Sequence, residues 1–239
     1  MSFLAGLFLA LLALHLGHSV VANRRPEPVK PARRGRLVLL VTQTPLFLLA
    51  CYFGAQEGVF SRQLVNPVYI GVGLLAGHLI FVLSLLVTHR SWDDAHSHFL
   101  DLGGVWNFTV ENPVVLYRFL TVAVAEELIW RVGAQPLLIG MTGSPAAGII
   151  LVAVAFAIVH RHFFQNSPAV SFEFLVFSLL LGGMFYWTGS LILVIVVHAV
   201  RDIEIAYLEY AIKVHELGDE EEAVRHIEQQ YMPQRTEHQ

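Results

Sequence analysis

The sequence predicts an all-α fold, a polytopic transmembrane helical bundle of about seven spans, and three observations carry that expectation. Of 239 residues, 55% are apolar and only 14% are charged, where an ordinary soluble domain carries about 25% charged residues. Apolar runs near 20 residues, the length that crosses a bilayer at about 1.5 Å per residue, recur along the whole chain. The cations gather in a few of the intervals between those runs. This pattern excludes a soluble enzyme with a single anchor. Cys51 is the only cysteine, so no disulfide framework exists, and it reads as a buried apolar side chain. A net charge of -4 gives no support to nucleic-acid binding. The partners expected are the lipid bilayer and a membrane-associated protein or peptide, and no nucleic acid.

The runs span residues 3–22, 37–54, 67–87, 113–140, 145–162, 170–187 and 190–210. The first lacks the basic leader of a signal peptide and is followed by Arg24, Arg25, Lys30, Arg33, Arg34 and Arg36. It is expected to be an uncleaved helix with its N-terminus outside. Asn66-Pro67, Gly143-Ser144-Pro145, Asn166-Ser167-Pro168 and Thr188-Gly189 supply turn chemistry between later runs. Residues 211–239 are polar, hold the acidic run Asp219 to Glu222, and read as a solvated tail, a short amphipathic helix fraying into disorder. If 23–36 is cytoplasmic, so are 88–112, 161–169 and the tail. Those stretches hold eleven of the 15 cations, and the external loops hold only Arg62. The positive-inside rule then places the C-terminus in the cytoplasm of a multi-pass protein, expected in a bacterial cell membrane.

Arg118, Arg131 and Arg201 remain inside apolar runs. An ionisable side chain at mid-helix costs about 2.5–3.5 kcal/mol on insertion scales, so such residues are candidates for function. The fourth run contains Glu126, Glu127 and Arg131. Glu127 and Arg131 are i,i+4 neighbours able to pair. Glu126 is turned by about 100° from Glu127 and has no cation in phase with it. A buried structural ion pair accounts for Glu127 and Arg131 but leaves Glu126 over, free to act as a base. The fifth run ends Phe156-Ala157-Ile158-Val159-His160, and the seventh puts His198 and Asp202 on one face. A single membrane histidine is more often a helix–helix hydrogen bond than a catalyst. Two of them beside a paired-glutamate helix argue otherwise.

Glu-Glu-x-x-x-Arg, Phe-x-x-x-His and His-x-x-x-Asp, in that order on successive apolar helices, resemble the CAAX-protease and bacteriocin-processing (Abi) family, which includes the type II CAAX prenyl endopeptidases. The resemblance covers about residues 113–205, and the first three helices read as generic. It implies an intramembrane endopeptidase in which Glu126 activates water, Glu127 and Arg131 complete that motif, and His160 assists the base. His198 and Asp202 would bind or polarise the scissile carbonyl. The prenyl endopeptidases usually carry Asn where this chain has Asp202, whereas the wider family resembles this chain in tolerating Asp. Asp202 could orient His198 as an acceptor, pair with Arg201, or stay protonated through burial. The chain then divides into N-terminal membrane helices with a basic loop (1–112), a catalytic helical core (113–210) and a cytoplasmic tail (211–239).

Glutamate alone can serve as the general base, with histidine donating to the oxyanion. Glu126, His160 and His198 are also a Zn²⁺ donor set. The metal-independent scheme is the favoured expectation, with no cofactor required. No His-Glu-x-x-His occurs (His215-Glu216-Leu217-Gly218-Asp219 lacks the second ligand), and no serine elbow is present. His89, Asp93, Asp94, His96 and His98 cluster between runs, but their spacing fits no closed metal site. The rival readings are a proton-coupled transporter using the buried Glu, His and Asp groups as a relay, and a silent scaffold that binds hydrophobic tails. Counting from the run ends puts Glu126 about 20 Å from the cytoplasmic face and His160 within about one turn of it. Either the fourth helix starts late, or the motif helices tilt or end inside the membrane.

Overall fold

A computed structural model describes residues 2–23, 33–62 and 66–231. Among these the regular elements are all helical. In chain order they are α1 (Phe3–Asn23), α2 (Arg33–Gln56), α3 (Val59–Arg62), α4 (Pro67–Thr88), α5 (Trp92–Leu100), α6 (Leu102–Glu111) and α7 (Pro113–Glu127). A π-helical segment, Leu128–Ala134, leads into α8 (Gln135–Thr142). Then come α9 (Pro145–Val159), α10 (His162–Gln165), α11 (Pro168–Thr188), α12 (Leu191–Leu217) and α13 (Glu220–Tyr231). All seven apolar runs are helical. By length and composition α1, α4 and α11 can each cross a membrane, and α9 is a shorter apolar helix.

The chain forms two compact units, Met1–Ile70 with Ala125–Val194, and Gly71–Val124 with Ile195–Gln239. In the first unit α9 is the hub, packed by α1, α8, α11 and the π segment, while α2 lies against α1 and the π segment. The turn residues act as expected. Ser144 and Ser167 accept hydrogen bonds from the backbone N–H groups of Ala147 and Val170, capping α9 and α11, and each is followed by proline. Caps of this kind contribute about 1 kcal/mol each. Gly143 and Gly189 end α8 and α11 at φ of 66° and 63°, the left-handed region that side chains disfavour.

In the second unit α12 is the spine. Phe108, Val115, Phe119, Ile203, Ala206 and Ile227 form one buried cluster, uniting α6, α7, α12 and α13. Phe81, Leu85 and Ala95 form another, against which Ile205 and Leu208 of α12 pack.

Three expectations need correction. Residues 88–112 are not a loop, because Ser91 and Asp101 cap two helices, accepting from the N–H groups of Asp94 and Gly104. The run 113–140 is not one regular helix, since a π segment interrupts it. The tail is not wholly solvated: α12 continues to Leu217, and Ala223 and Ile227 of α13 are buried. Its expected fraying falls largely on 232–239, outside the described residues, as do Arg24, Arg25 and Lys30.

Candidate active site

The paired-glutamate motif sits where α7 passes into the π segment. Pro136 explains the change of helix type. Proline donates no hydrogen bond and its ring crowds the carbonyl four residues back, here that of Val132. The wider turn relieves the crowding, and Gln135 N–H bonds to the Trp130 carbonyl, five residues back. Gly133 allows the segment to lie against α1, since a Cβ there would come within 2.5 Å of the Phe8 ring. Single π turns inside α-helices often mark functional sites.

Arg131 and Glu127 pair as the spacing predicts. Nε of Arg131 donates to Oε2 of Glu127 at 2.9 Å, and both side chains are wholly buried. Nη2 donates to Ser178 Oγ on α11 at 3.1 Å, and the guanidinium lies 5.3 Å from the centre of the Phe156 ring. Four residues on, Gln135 Nε2 donates to the Gly182 carbonyl at 2.9 Å, giving α11 a second tie to this strand of the chain. A charge this deep is tolerable only when paired and hydrogen-bonded. These contacts clamp the π segment onto α9 and α11.

Glu126 faces elsewhere. Its Oε1 lies 3.5 Å from His160 Nε2, and the two side chains keep 27% and 20% exposure, enough for water to reach them. His160 is the C-cap of α9, with extended backbone (φ -89°, ψ 121°). Its Nδ1 donates to the Phe156 carbonyl at 2.7 Å. Phe156, Phe174 and His162 surround the imidazole, with ring centres 4.5, 5.0 and 5.3 Å away. The Phe-x-x-x-His spacing thus does two jobs: the Phe156 backbone sets the tautomer and its ring sets the plane. At 15 residues α9 is about 22 Å long, short of a hydrocarbon core about 30 Å thick, and its end lies beside Glu126.

In the second unit, His198 Nε2 lies 3.5 Å from Asp202 Oδ2, and Arg201 Nη1 lies 3.8 Å from Asp202 Oδ1. His198 is 3% exposed and the Asp202 side chain 19%. Asp202 therefore meets both of the partners considered for it.

The first helix is not generic. Asn23 donates from Nδ2 to the carbonyls of Ile158 and Val159, each at 3.2 Å, satisfying the exposed end of α9 beside His160. His15, buried in α1, lies near enough to Glu126 and His160 to interact with their charges, and its Nδ1 is 3.5 Å from Thr42 Oγ1. Polar residues in an apolar helix were the available signal for both. Ser178 and Phe174 offered none, since an isolated Ser or Phe in an apolar helix is ordinary.

Glu126 and His160 could hold a metal, because a ligating imidazole ordinarily gives its other nitrogen to a carbonyl or carboxylate, as Nδ1 does here. The same geometry serves a metal-free base.

Residues 109–203 match the family described as type II CAAX prenyl endopeptidase Rce1-like, a stretch that includes Glu126, Glu127, Arg131, His160, His198 and Asp202. The chain is similar to that family over this segment. No curated protein and no solved structure matches the chain. The apolar helices support an integral membrane protein, and the match is a likeness to the CAAX-protease type over that segment. That likeness favours a protease over the transporter.

Proposed function

We propose that this protein hydrolyses a peptide bond near the membrane surface in a prenylated or otherwise membrane-associated protein or peptide, using water activated by Glu126. The observation that supports it most is the approach of Glu126 Oε1 to His160 Nε2, with Nδ1 already engaged by the Phe156 carbonyl. With Nδ1 as the donor, Nε2 of a neutral ring is an acceptor. Carboxylate and imidazole can therefore hold one proton between them.

The reaction follows from that arrangement. Glu126 takes a proton from a water, and the resulting hydroxide oxygen attacks the scissile carbonyl carbon. The proton is shared with His160 and delivered to the leaving nitrogen as the C–N bond breaks, so the pair ends as it began. The tetrahedral oxyanion is met by His198, whose orientation Asp202 supports. Loss of such a donor costs about 2.7–4 kcal/mol of transition-state stabilisation in a comparable oxyanion hole. Glu127 and Arg131 hold the π segment, and so Glu126, in place. No metal is required in this scheme. The substrate is an unwound segment, because a helical backbone shields its peptide bonds from attack.

We further infer a bacterial cell membrane with the N-terminus outside and the C-terminus cytoplasmic, resting on the eleven-to-one cation bias. The proteolytic reading is tested by comparing membrane proteomes of cells carrying wild-type protein or Glu126→Ala. A protein that shifts in size at one terminus is the expected result. An unchanged proteome with altered ion or solute flux would overturn the reading in favour of transport.

A further inference from the structure

A second cluster of chemistry-bearing side chains lies within the unit built around α12, and none of its members belongs to the proposed catalytic set. His78 of α4 presents Nδ1 to Glu204 Oε1 at 2.9 Å, and His98 of α5 presents Nε2 to Glu204 Oε2 at 3.2 Å. The three residues are 6%, 5% and 2% exposed. We propose that His78, His98 and Glu204 bind one divalent transition-metal ion, Zn²⁺ foremost.

The geometry supports this directly. One ligand atom from each residue lies within 4.8 Å of the others. Zinc bonds of about 2.0–2.1 Å in a tetrahedral arrangement separate ligand atoms by about 3.3 Å. The imidazoles meet different oxygens of the Glu204 carboxylate, at 2.9 and 3.2 Å, and side-chain adjustments that bring one ligand atom of each residue from within 4.8 Å to that spacing would admit the ion. Two imidazoles and one carboxylate suit zinc and its neighbours, while calcium and magnesium prefer all-oxygen sites. The fourth position would fall to water.

Charge and packing point the same way. A carboxylate buried between two imidazoles is costly at this depth unless its charge is matched. A dication removes that cost. The rings are also held in place. His78 stacks on Phe99 with centres 5.6 Å apart, and Phe81 meets His98 edge-on at 4.9 Å. Gly77 brings α4 against α12, since a Cβ there would lie 2.8 Å from Val200 Cβ.

A cavity borders the cluster at His98. A cavity of about 280 Å³ is bounded by His89, Asp94, Asp101 and Tyr207, and His98 forms part of its wall. His89 and Asp94 lie 3.5 Å apart and are substantially exposed. The carboxylates of Asp94 and Asp101 would draw a cation inward to the nitrogen of His98. No local spacing could have revealed this site, because its ligands come from three separate helices. The cluster of His89, Asp93, Asp94, His96 and His98 seen in the sequence borders the cavity through His89 and Asp94 and supplies one ligand, His98.

The test uses full-length protein in detergent, stripped with a chelator and titrated with Zn²⁺ alone. About one zinc per chain is expected to remain after desalting, with a rise in thermal midpoint. Binding should weaken at least about tenfold in His98→Ala and in the near-isosteric Glu204→Gln, because even outer-shell changes cost 10–100-fold. Glu126→Gln and His160→Ala should bind zinc as wild type does. His78→Asn serves as a third variant should His98→Ala fail to fold. Absence of zinc from the loaded wild type would overturn the proposal, as would wild-type binding by both Glu204→Gln and a folded histidine variant. Loss of zinc in Glu126→Gln alone would move the metal to the catalytic pair and overturn both this site and the metal-free mechanism. Zinc lost only in the His78, His98 and Glu204 variants leaves that mechanism untouched.

Discussion

His160 is tied to the carbonyl of Phe156, one helical turn earlier, by a 2.7 Å hydrogen bond from Nδ1. The bond consumes the ring's donor and turns its acceptor nitrogen toward Glu126. In the proposed mechanism the backbone carbonyl, the imidazole and the carboxylate together make the general base.

If Glu126, His160 and His198 act as one unit, alanine at any of them should lower cleavage of a native substrate by at least about 10²-fold. Membrane insertion and thermal midpoint should stay near wild type for Glu126→Ala, whose side chain is partly exposed. Turnover by Glu126→Ala at a tenth of the wild-type rate would remove it from the role of base.

The Glu127–Arg131 pair should behave asymmetrically. Removing one partner leaves the other charge buried and unpaired, costing about 3–5 kcal/mol. Glu127→Gln with Arg131→Met together should cost less than the sum of the two singles. Unfolding of the four proteins in a double-mutant cycle reads the difference, and strict additivity would show that the two side chains do not interact.

Phe156 is fully buried, against Trp130, His160 and Phe174. Phe156→Ala should lower stability by about 3–5 kcal/mol. Both Phe156→Leu and Phe156→Ala retain the backbone carbonyl, but Phe156→Leu also keeps much of the volume, so it should keep more activity. Thermal unfolding and cleavage measured on the same preparations decide it. Equal loss of activity in both would assign the hold on His160 to the aromatic ring itself and not to the volume it fills.

Asp202 lies within reach of His198 and Arg201. If it supports His198 as an ionised acceptor, Asp202→Asn should lower turnover modestly. If it donates to the oxyanion itself, Asn should replace it with little loss. Both roles require Asp202→Ala to be the slower variant. Equal, wild-type turnover in both would place Asp202 outside the machinery.

Metal dependence of the chemistry is best measured in His98→Ala, which lacks the proposed zinc site. A strong chelator should leave its turnover unchanged. Activity lost with the chelator and restored by zinc would make Glu126 a ligand.

The apolar runs were legible because membrane helices must satisfy their backbone internally and meet lipid with apolar side chains. The pairing of Glu127 with Arg131, and of His198 with Asp202, was legible because helical periodicity alone sets it. The approach of Glu126 to His160 was not, since it depends on where α9 stops. Pro136 announced the π segment but was passed over inside an apolar run. Residues 88–112 hid two helices because, at nine and ten residues, they fall well short of the membrane-length runs, although Ser91 and Asp101 stood at capping positions. Ser178 left no local trace, and the partners that Asn23 and Glu204 find at distant positions are products of the fold.

The π segment also makes the chain's residue count matter at this point. Each residue advances a helix by about 100° and 1.5 Å, so deleting one residue between 128 and 134 would turn all that follows by that angle. Gln135 would swing away from the Gly182 carbonyl while Glu126 stayed with the preceding helix. The extra residue works like a leap day, keeping two calendars aligned: the face of α7 that presents the carboxylates, and the face of α8 that grips α11.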